Sequence, residues 1–171
     1  MKKRKRLSVG FFISIAAVLL IGLFIRYYIA GTTHIEGNSM NPAIKSGDTV
    51  LVNRAAYWMS APRRGDIVLV YAGDPAAALV KRVLGLPGEC VEISGGVLHV
   101  NGQPYSEPYL PESAGDDYAI ALSDTQYLVL GDNRAISHDG RADDIGPVER
   151  AAFNGNVVCI IWPPDHAAWL R

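Results

Sequence analysis

The first thirty residues contain the feature that most restricts the fold, a long segment without charge. Residues 9 to 25 carry no ionisable side chain, and residues 2 to 6 are all Lys or Arg. A bilayer-spanning helix needs about 20 predominantly apolar residues, and flanking positive residues stay on the cytoplasmic side. The pattern predicts a basic cytoplasmic tip over residues 1–7, a single transmembrane anchor over 8–30 and an outer domain over 31–171.

A cleavable signal peptide is the alternative for this segment, because it shares the basic start and the apolar middle. Cleavage requires small residues one and three positions before the cut, and a cut after Ala30 would place Tyr28 at the second of these positions. A retained anchor in the cell membrane is the better interpretation, with Arg26 extending to the interface beside Tyr27 and Tyr28.

The domain beyond the anchor is acidic, although the whole chain is nearly neutral. Residues 31–171 hold ten Lys and Arg against seventeen Asp and Glu. This balance lacks the basic patch that nucleic-acid binding requires, so we expect no nucleic-acid partner.

The two cysteines and four histidines give no sign of a metal site. The sequence contains neither a CxxC nor an HExxH motif, and we expect no metal and no cofactor. Cys90 and Cys159 both lie in apolar runs, so a disulfide and two buried thiols are both compatible with the sequence.

The outer domain shows short apolar runs separated by turn residues, a pattern typical of an all-β sandwich or barrel. Gly95 and Gly96 form a two-residue turn signal between two such runs. We predict a mainly β fold, a partly barrel-like antiparallel outer domain on one transmembrane helix. The predicted strands are residues 48–53, 66–71, 78–84, 89–94, 97–100, 126–130 and 156–162.

An apolar cluster at residues 55–59 (Ala-Ala-Tyr-Trp-Met) lies between two predicted strands. One interpretation is a loop that packs back on the core. The other is a surface that enters the bilayer interface, where Tyr and Trp are favoured.

Ser39 is a candidate nucleophile, but it needs a base to remove its proton. The histidines at positions 34, 99, 138 and 166 stand in no recognisable motif. A lysine base must be neutral, which requires burial in apolar surroundings. Beyond the N-terminal cluster there are two lysines. Lys45 lies in a polar turn and is expected to be solvated, whereas Lys81 lies in an apolar strand.

Five motifs in order make the chain similar to the type I signal peptidases, membrane-bound Ser/Lys proteases. The resemblance extends from about residue 35 to residue 162. The motifs are GNSMNP at 37–42, SGDTVLV at 46–52, RGDIVLV at 64–70, KRVLGLPG at 81–88, and GDNR at 131–134 followed by SHDGR at 137–141.

The resemblance implies a role for each matching residue. Ser39 would be the nucleophile and Lys81 its general base, with Ser137 orienting the lysine. A set of polar residues would brace the active-site loop, and Arg82 would join their ion network from the opposite face of its strand. The bracing set is Asp132, Arg134, Asp139 and Arg141. Shallow apolar substrate pockets that favour Ala-X-Ala would involve Ile35, Met40, Ile44 and Val80.

One departure from the family bears on catalysis. Some members have a serine two residues before the nucleophile that donates to the oxyanion, and this chain has Gly37 there, as other members do. The oxyanion would then rest mostly on the backbone N–H of Ser39, and one lost donor can cost about 10²–10³ in rate.

The resemblance implies a monomeric membrane enzyme that removes signal peptides from secretory preproteins, with the preprotein and the lipid bilayer as its partners. Two alternatives remain at this point. One is a Ser/Lys autoprotease like the self-cleaving repressors, although these are cytosolic and carry a DNA-binding region. The other is a membrane-tethered domain that binds a partner without catalysis.

Overall fold

A computed structural model describes residues 9–73, 77–110 and 116–170. The chain begins with helix α1 (Val9–Phe24), which continues through one π-helical turn (Ile25–Ile29). This continuous helix is long and apolar enough to cross a membrane, and its described side chains are not buried by the rest of the protein. The predicted basic tip at 1–7 lies outside the described residues.

The remainder of the described chain is β structure, as the sequence predicts. All seven predicted runs form strands, while short or irregular segments add further strands that the pattern did not indicate. The strands are β1 (Ala30–His34), β2 (Thr49–Asn53), β3 (Ile67–Ala72), β4 (Ala77–Gly85), β5 (Cys90–Ser94), β6 (Val97–Val100), β7 (Gln103–Pro104), β8 (Tyr118–Ala121), β9 (Gln126–Leu130), β10 (Val148–Glu149), β11 (Phe153–Trp162) and β12 (Ala168–Trp169).

The strands form two antiparallel sheets. The larger has the order β1-β2-β11-β3-β4-β9-β10, with β12 added beside β11. In the part of the chain that the structure describes, this order runs from one edge strand to the other without closing into a barrel. The smaller sheet has the order β7-β6-β5-β8. The predicted antiparallel β fold with one N-terminal apolar helix is confirmed.

The predicted two-residue hairpin turn joins β5 to β6. Ser94 pairs with Val97, which leaves Gly95 and Gly96 as the two turn residues. Their φ angles are 55° and 78°, in the left-handed region that a type I′ turn requires at both central positions. Only glycine adopts this geometry without a steric penalty, which is why the sequence signal is reliable here.

Strand β4 lies inside the larger sheet, and this position determines the environment of the site. It pairs with β3 on one side and β9 on the other. The stretch from Lys81 to Gly85 is buried at every residue, so both faces of the strand are covered. Successive side chains of a strand point to opposite faces. Two adjacent charged residues, Lys81 and Arg82, are therefore buried on opposite sides of one sheet.

The two cysteines are both free thiols, so the disulfide alternative is wrong. Cys90 is exposed at the start of β5, whereas Cys159 is buried in β11. Cys159 lies in the larger sheet and Cys90 in the smaller one.

Candidate active site

Lys81 is the buried lysine of the site. Lys81 is only 3% exposed, and Val68 is its cross-strand partner on β3. Burial lowers the pKa of Lys81 to about 8, an effect opposed by Asp139 and reinforced by Arg141. A pKa of this size leaves about a tenth of the lysine neutral at pH 7, and a neutral amine can accept a proton. Lys45, by contrast, is exposed, as the sequence predicts.

Ser137 is the hydrogen-bond partner of Lys81. The ammonium Nζ donates to Ser137 Oγ over 3.1 Å, across 56 residues of sequence. Ser137 also hydrogen-bonds the Asp139 carboxylate and helps to hold its pKa down. This arrangement fixes the lysine rotamer, because the hydroxyl is held on one side by Asp139 and on the other by the amine.

Ser39 lies in the turn that follows β1. Backbone hydrogen bonds from Asn41 to Asn38 and from Ile44 to Met40 close the turn, over 3.1 and 2.9 Å. Ser39 itself is half-buried, and its backbone carbonyl accepts a hydrogen bond from Asn133 N–H over 2.9 Å. The nucleophile candidate is thus attached through its own backbone to the loop that carries Ser137.

Gly131 allows the Ser39 turn and the loop that carries Ser137 to approach each other closely. A Cβ atom at this position would lie 2.1 Å from Ser137 Oγ and 2.4 Å from the Ser39 carbonyl oxygen, far inside contact distance. Ser39, Gly131, Ser137 and Lys81 therefore form one continuous group of contacts. Within the described residues no hydrogen bond joins Ser39 Oγ directly to Lys81 Nζ. The two predicted catalytic residues are brought together through the shared loop.

Asp139 holds the loop that carries Gly131 and Ser137 in place. It is fully buried, and its carboxylate accepts hydrogen bonds from Gly131 N–H at 3.0 Å and from Arg141 Nε at 2.9 Å. Burial alone would raise the pKa of Asp139, but the bonds from Arg141, Gly131 and Ser137 outweigh burial and keep that pKa below its usual value. Arg141 also donates to the Arg134 carbonyl over 2.8 Å, so the loop is closed on itself.

A second ion pair lies on the opposite face of β4. Arg82 donates to both carboxylate oxygens of Asp132, over 2.9 and 2.6 Å, and its guanidinium lies 3.9 Å from the centre of the Tyr109 ring. Arg134 pairs with Glu107 in the same region. The resemblance implied one ion network that includes Arg82, Asp132 and Arg134, but no sequence signal indicated Glu107 and Tyr109. They lie in a proline-containing loop with no pattern that indicates burial.

The four predicted substrate-binding residues belong to one apolar cluster. Ile35, Met40 and Ile44 are buried in it, and Val80 packs against it from β4. Met40 directly follows Ser39, and Val80 precedes Lys81 on β4 with its side chain on the opposite face of the strand. The structure brings these four residues into one cluster, and their contact with substrate stays a prediction.

Among the described residues, His34, His138 and His166 have side-chain hydrogen-bond partners away from Ser39, whereas the buried Nδ1 of His99 has none. His138 contacts Asp144 at 2.9 Å on the surface, and His166 contacts the buried Asp48 at 2.9 Å. Among the described residues none of the four histidines hydrogen-bonds Ser39. Lys81 bonds the loop that also binds the Ser39 turn, which favours it over the histidines as the base candidate.

Gly37 shows why a serine is absent two residues before Ser39. Its φ angle is 94°, in the left-handed region, where any side chain is strained. Its N–H donates to Ser46 Oγ over 3.2 Å. In this chain the turn geometry itself favours glycine at that position.

Comparison with known proteins agrees with this arrangement. The family described as "Signal peptidase, peptidase S26" matches residues 8–162. A signal peptidase I from Leptolyngbya laminosa is 35% identical over 162 residues, which cover 88% of this chain and 77% of that protein. Signal peptidase I U from Bacillus subtilis is 30% identical over 90% of this chain and 91% of its own length.

A solved structure is also similar. The crystal structure of a signal peptidase I from Enterococcus faecalis V583 has a TM-score of 0.52 and 31% sequence identity, and the match covers 57% of this chain and 97% of that one. Together with the family match over nearly the whole chain, this shows that the chain belongs to the signal peptidase family of serine endopeptidases, peptidase S26.

Proposed function

We propose that this protein removes signal peptides from exported preproteins with a catalytic dyad of Ser39 and Lys81. The observation that supports the dyad best is the state of Lys81. It is buried, its pKa is lowered to about 8, and it is oriented by Ser137 on a loop that also binds the Ser39 backbone. An apolar residue at this position would stabilise the fold better than a buried lysine with these properties does.

The proposed reaction is acyl transfer in two steps. Neutral Lys81 Nζ removes the proton from Ser39 Oγ as this oxygen attacks the scissile carbonyl carbon. The tetrahedral intermediate collapses, the C–N bond breaks, and Lys81 gives the proton to the leaving amine. Water then attacks the acyl-enzyme with Lys81 as base, which releases the signal peptide and restores Ser39. The backbone N–H of Ser39 stabilises the oxyanion in both steps.

We assign substrate preference to the apolar cluster beside the dyad. Ile35, Met40, Ile44 and Val80 form one apolar cluster that includes the residue after Ser39, and an apolar surface of this kind would accept small side chains such as those of Ala-X-Ala. A large side chain would displace buried atoms in a close-packed interior, which is energetically costly.

The proposed arrangement in the cell follows from the N-terminal helix. A monomer would cross the membrane once, over residues 8–30, with the basic tip at 1–7 in the cytoplasm and the catalytic domain 31–171 on the outer face. This places the active site where preproteins emerge. Protease protection of sealed vesicles tests the orientation: added protease should digest residues 31–171 only from the outer side.

The test of function is incubation of the purified full-length protein in detergent with a secretory preprotein. We expect one cut after a small residue, identified by mass spectrometry of both products. Ser39→Ala and Lys81→Met should each abolish the cut, whereas Lys45→Met, which removes an exposed lysine, should cleave normally. Undiminished cleavage by either dyad variant would exclude the mechanism. A mass loss from the enzyme itself, with the preprotein intact, would favour the autoprotease alternative.

A further inference from the structure

A cavity of about 320 Å³ lies where the apolar helix joins the β domain, away from the dyad. It opens between the last helical turn, the segment after β2 and the segment before β11. The side chains that line it include two arginines and four aromatic residues. They are Tyr27, Tyr28, Arg54, Tyr57, Trp58 and Arg150; we call this cavity the junction pocket.

Arg54 is fixed at the end of the helix. Its backbone N–H donates to the Ile29 carbonyl over 2.8 Å, and its Nη1 donates to the Tyr27 carbonyl over 3.2 Å. The guanidinium packs on Gly31, where a Cβ atom would come within 2.8 Å of Nε. Arg54 thus presents a rigid guanidinium to the junction pocket, and its buried Nε has no hydrogen-bond partner.

Arg150 approaches the junction pocket from the other side. Its Nη2 donates to the carbonyls of Tyr57 and Ser60, over 2.9 and 2.8 Å. These bonds hold the loop that follows β2 against the start of β11. A guanidinium has five N–H donors, so both arginines keep donors that the described protein groups do not use.

The charge of the junction pocket is uncompensated. Within the described residues neither Arg54 nor Arg150 pairs with a carboxylate, and no Asp or Glu lines the pocket. The arginines around the active site are each paired with an acid, in the pairs Arg64–Glu89, Arg82–Asp132, Arg134–Glu107 and Arg141–Asp139. Two unpaired guanidinium groups in an otherwise acidic domain are a site for an anion.

The surroundings of the pocket indicate which anion is available. Tyr27 and Tyr28 end the apolar helix, at the level where aromatic residues meet lipid headgroups. Trp58, which lines the pocket, is 58% exposed, and the next residue, Met59, is 99% exposed. Both residues would leave water if the loop entered the bilayer surface. The pocket would then lie at the level of the phosphate groups.

We propose that the junction pocket binds the phosphate of an anionic phospholipid. Arg54 and Arg150 donate N–H groups to the phosphate oxygens, the tyrosines contact the glycerol region, and Trp58 and Met59 contact the acyl chains. The proposal requires that the helix spans a membrane, but it is independent of the peptidase reaction. Binding of lipid, and not cleavage, is therefore the measurement that tests it.

The experiment measures the thermal unfolding midpoint of the full-length protein in a neutral detergent. The probe is dioctanoyl phosphatidylglycerol, compared with dioctanoyl phosphatidylcholine and with inorganic phosphate at equal concentration. A ligand that binds the folded state raises Tm in a saturable manner. We expect this increase with phosphatidylglycerol, and half-saturation at about five- to tenfold higher lipid concentration for Arg150→Gln and for Arg54→Gln.

Arg63→Gln is the matched control, because it removes an exposed arginine outside the junction pocket. It should titrate like the unchanged protein. Arg150 is exposed, so Arg150→Gln is expected to fold. This variant decides the outcome even if Arg54→Gln fails to fold. An unchanged half-saturation in Arg150→Gln would overturn the proposal. Equal stabilisation by phosphatidylcholine, or by inorganic phosphate, would also overturn it, since it would indicate no preference for an anionic lipid.

Discussion

Lys81 Nζ donates a hydrogen bond to Ser137 Oγ over 3.1 Å, and this contact links strand β4 to the loop after β9. The loop also binds the Ser39 carbonyl through Asn133 N–H. The lysine is therefore oriented by the same segment that positions the serine turn, and loss of the Ser137 hydroxyl should affect catalysis more than folding.

Ser137→Ala removes the hydroxyl that orients the lysine. We expect kcat to fall by about 10- to 100-fold, a part of the 10²–10⁴ that a positioned base supplies, with little change in KM. Steady-state cleavage of a signal-peptide substrate measures both constants. Ser123→Ala, at an exposed hydroxyl in a distant turn, is the control and should keep full activity. A Ser137→Ala variant with unchanged kcat would contradict the orienting role.

The activity should depend on pH through the titration of Lys81. The pKa of Lys81 is lowered to about 8 by burial, so the lysine is mostly protonated below that pH and cannot accept the serine proton. We expect kcat/KM to rise about tenfold per pH unit below pH 8 and to level off above it. A rate that stays constant from pH 6 to about pH 10 would exclude a lysine base.

Stability should also depend on the charge of Lys81. At pH 7 the protonated amine is buried, which disfavours the folded state, and Lys81→Met should raise the free energy of unfolding. As pH rises from the folded pKa near 8 towards the ordinary lysine value, the folded protein loses its proton before the unfolded chain does. The unchanged protein should then gain roughly 3 kcal/mol relative to Lys81→Met.

Denaturant titrations at pH 7 and pH 10, in detergent, measure this difference. Lys45→Met serves as the matched variant, because it removes a lysine that the structure leaves exposed. Its stability relative to the unchanged protein should not vary in the same way. If the advantage of Lys81→Met persists in full at pH 10, the buried lysine does not titrate as the structure indicates.

Asp132→Ala should destabilise the domain strongly. Arg82 and Asp132 are only 2% and 0% exposed in their side chains, and the change would leave the guanidinium buried without its carboxylate. Breaking a buried ion pair in this way costs about 3–5 kcal/mol. Asp144→Asn breaks the exposed pair with His138 and should have little effect. Chemical unfolding of both variants gives the comparison; equal stabilities would show that the buried pair is not structurally important.

Gly131→Ala should inactivate the protein. The added methyl group would overlap Ser137 Oγ and the Ser39 carbonyl oxygen, so the two segments must separate. A displacement of about 1 Å can lower a rate by about 10²-fold, and we expect at least this loss in the cleavage assay. Gly22→Ala is the control, since among the described residues nothing besides its chain neighbours and the backbone of its own helix lies within 4 Å of a Cβ at that position. Normal activity of Gly131→Ala would contradict the tight contact.

Much of the fold is determined by local patterns in the sequence. The uncharged N-terminal run predicts the helix because a bilayer span depends on composition alone. Gly95 and Gly96 predict the β5–β6 turn because the required positive φ angles favour glycine. The short strands β7, β10 and β12 escaped prediction because two residues are too few to show alternation.

Some features of the site were likewise predictable from the local sequence, and others were not. The apolar run around Lys81 and the polar turn around Lys45 indicated which lysine could be buried, and the resemblance of the five motifs selected Lys81. The contact of Lys81 with Ser137 and the pocket between Arg54 and Arg150 depend on which segments the sheet order makes neighbours. These contacts join residues 56 and more positions apart. Only the tertiary structure decides such pairings, because no local pattern records the partner of a side chain.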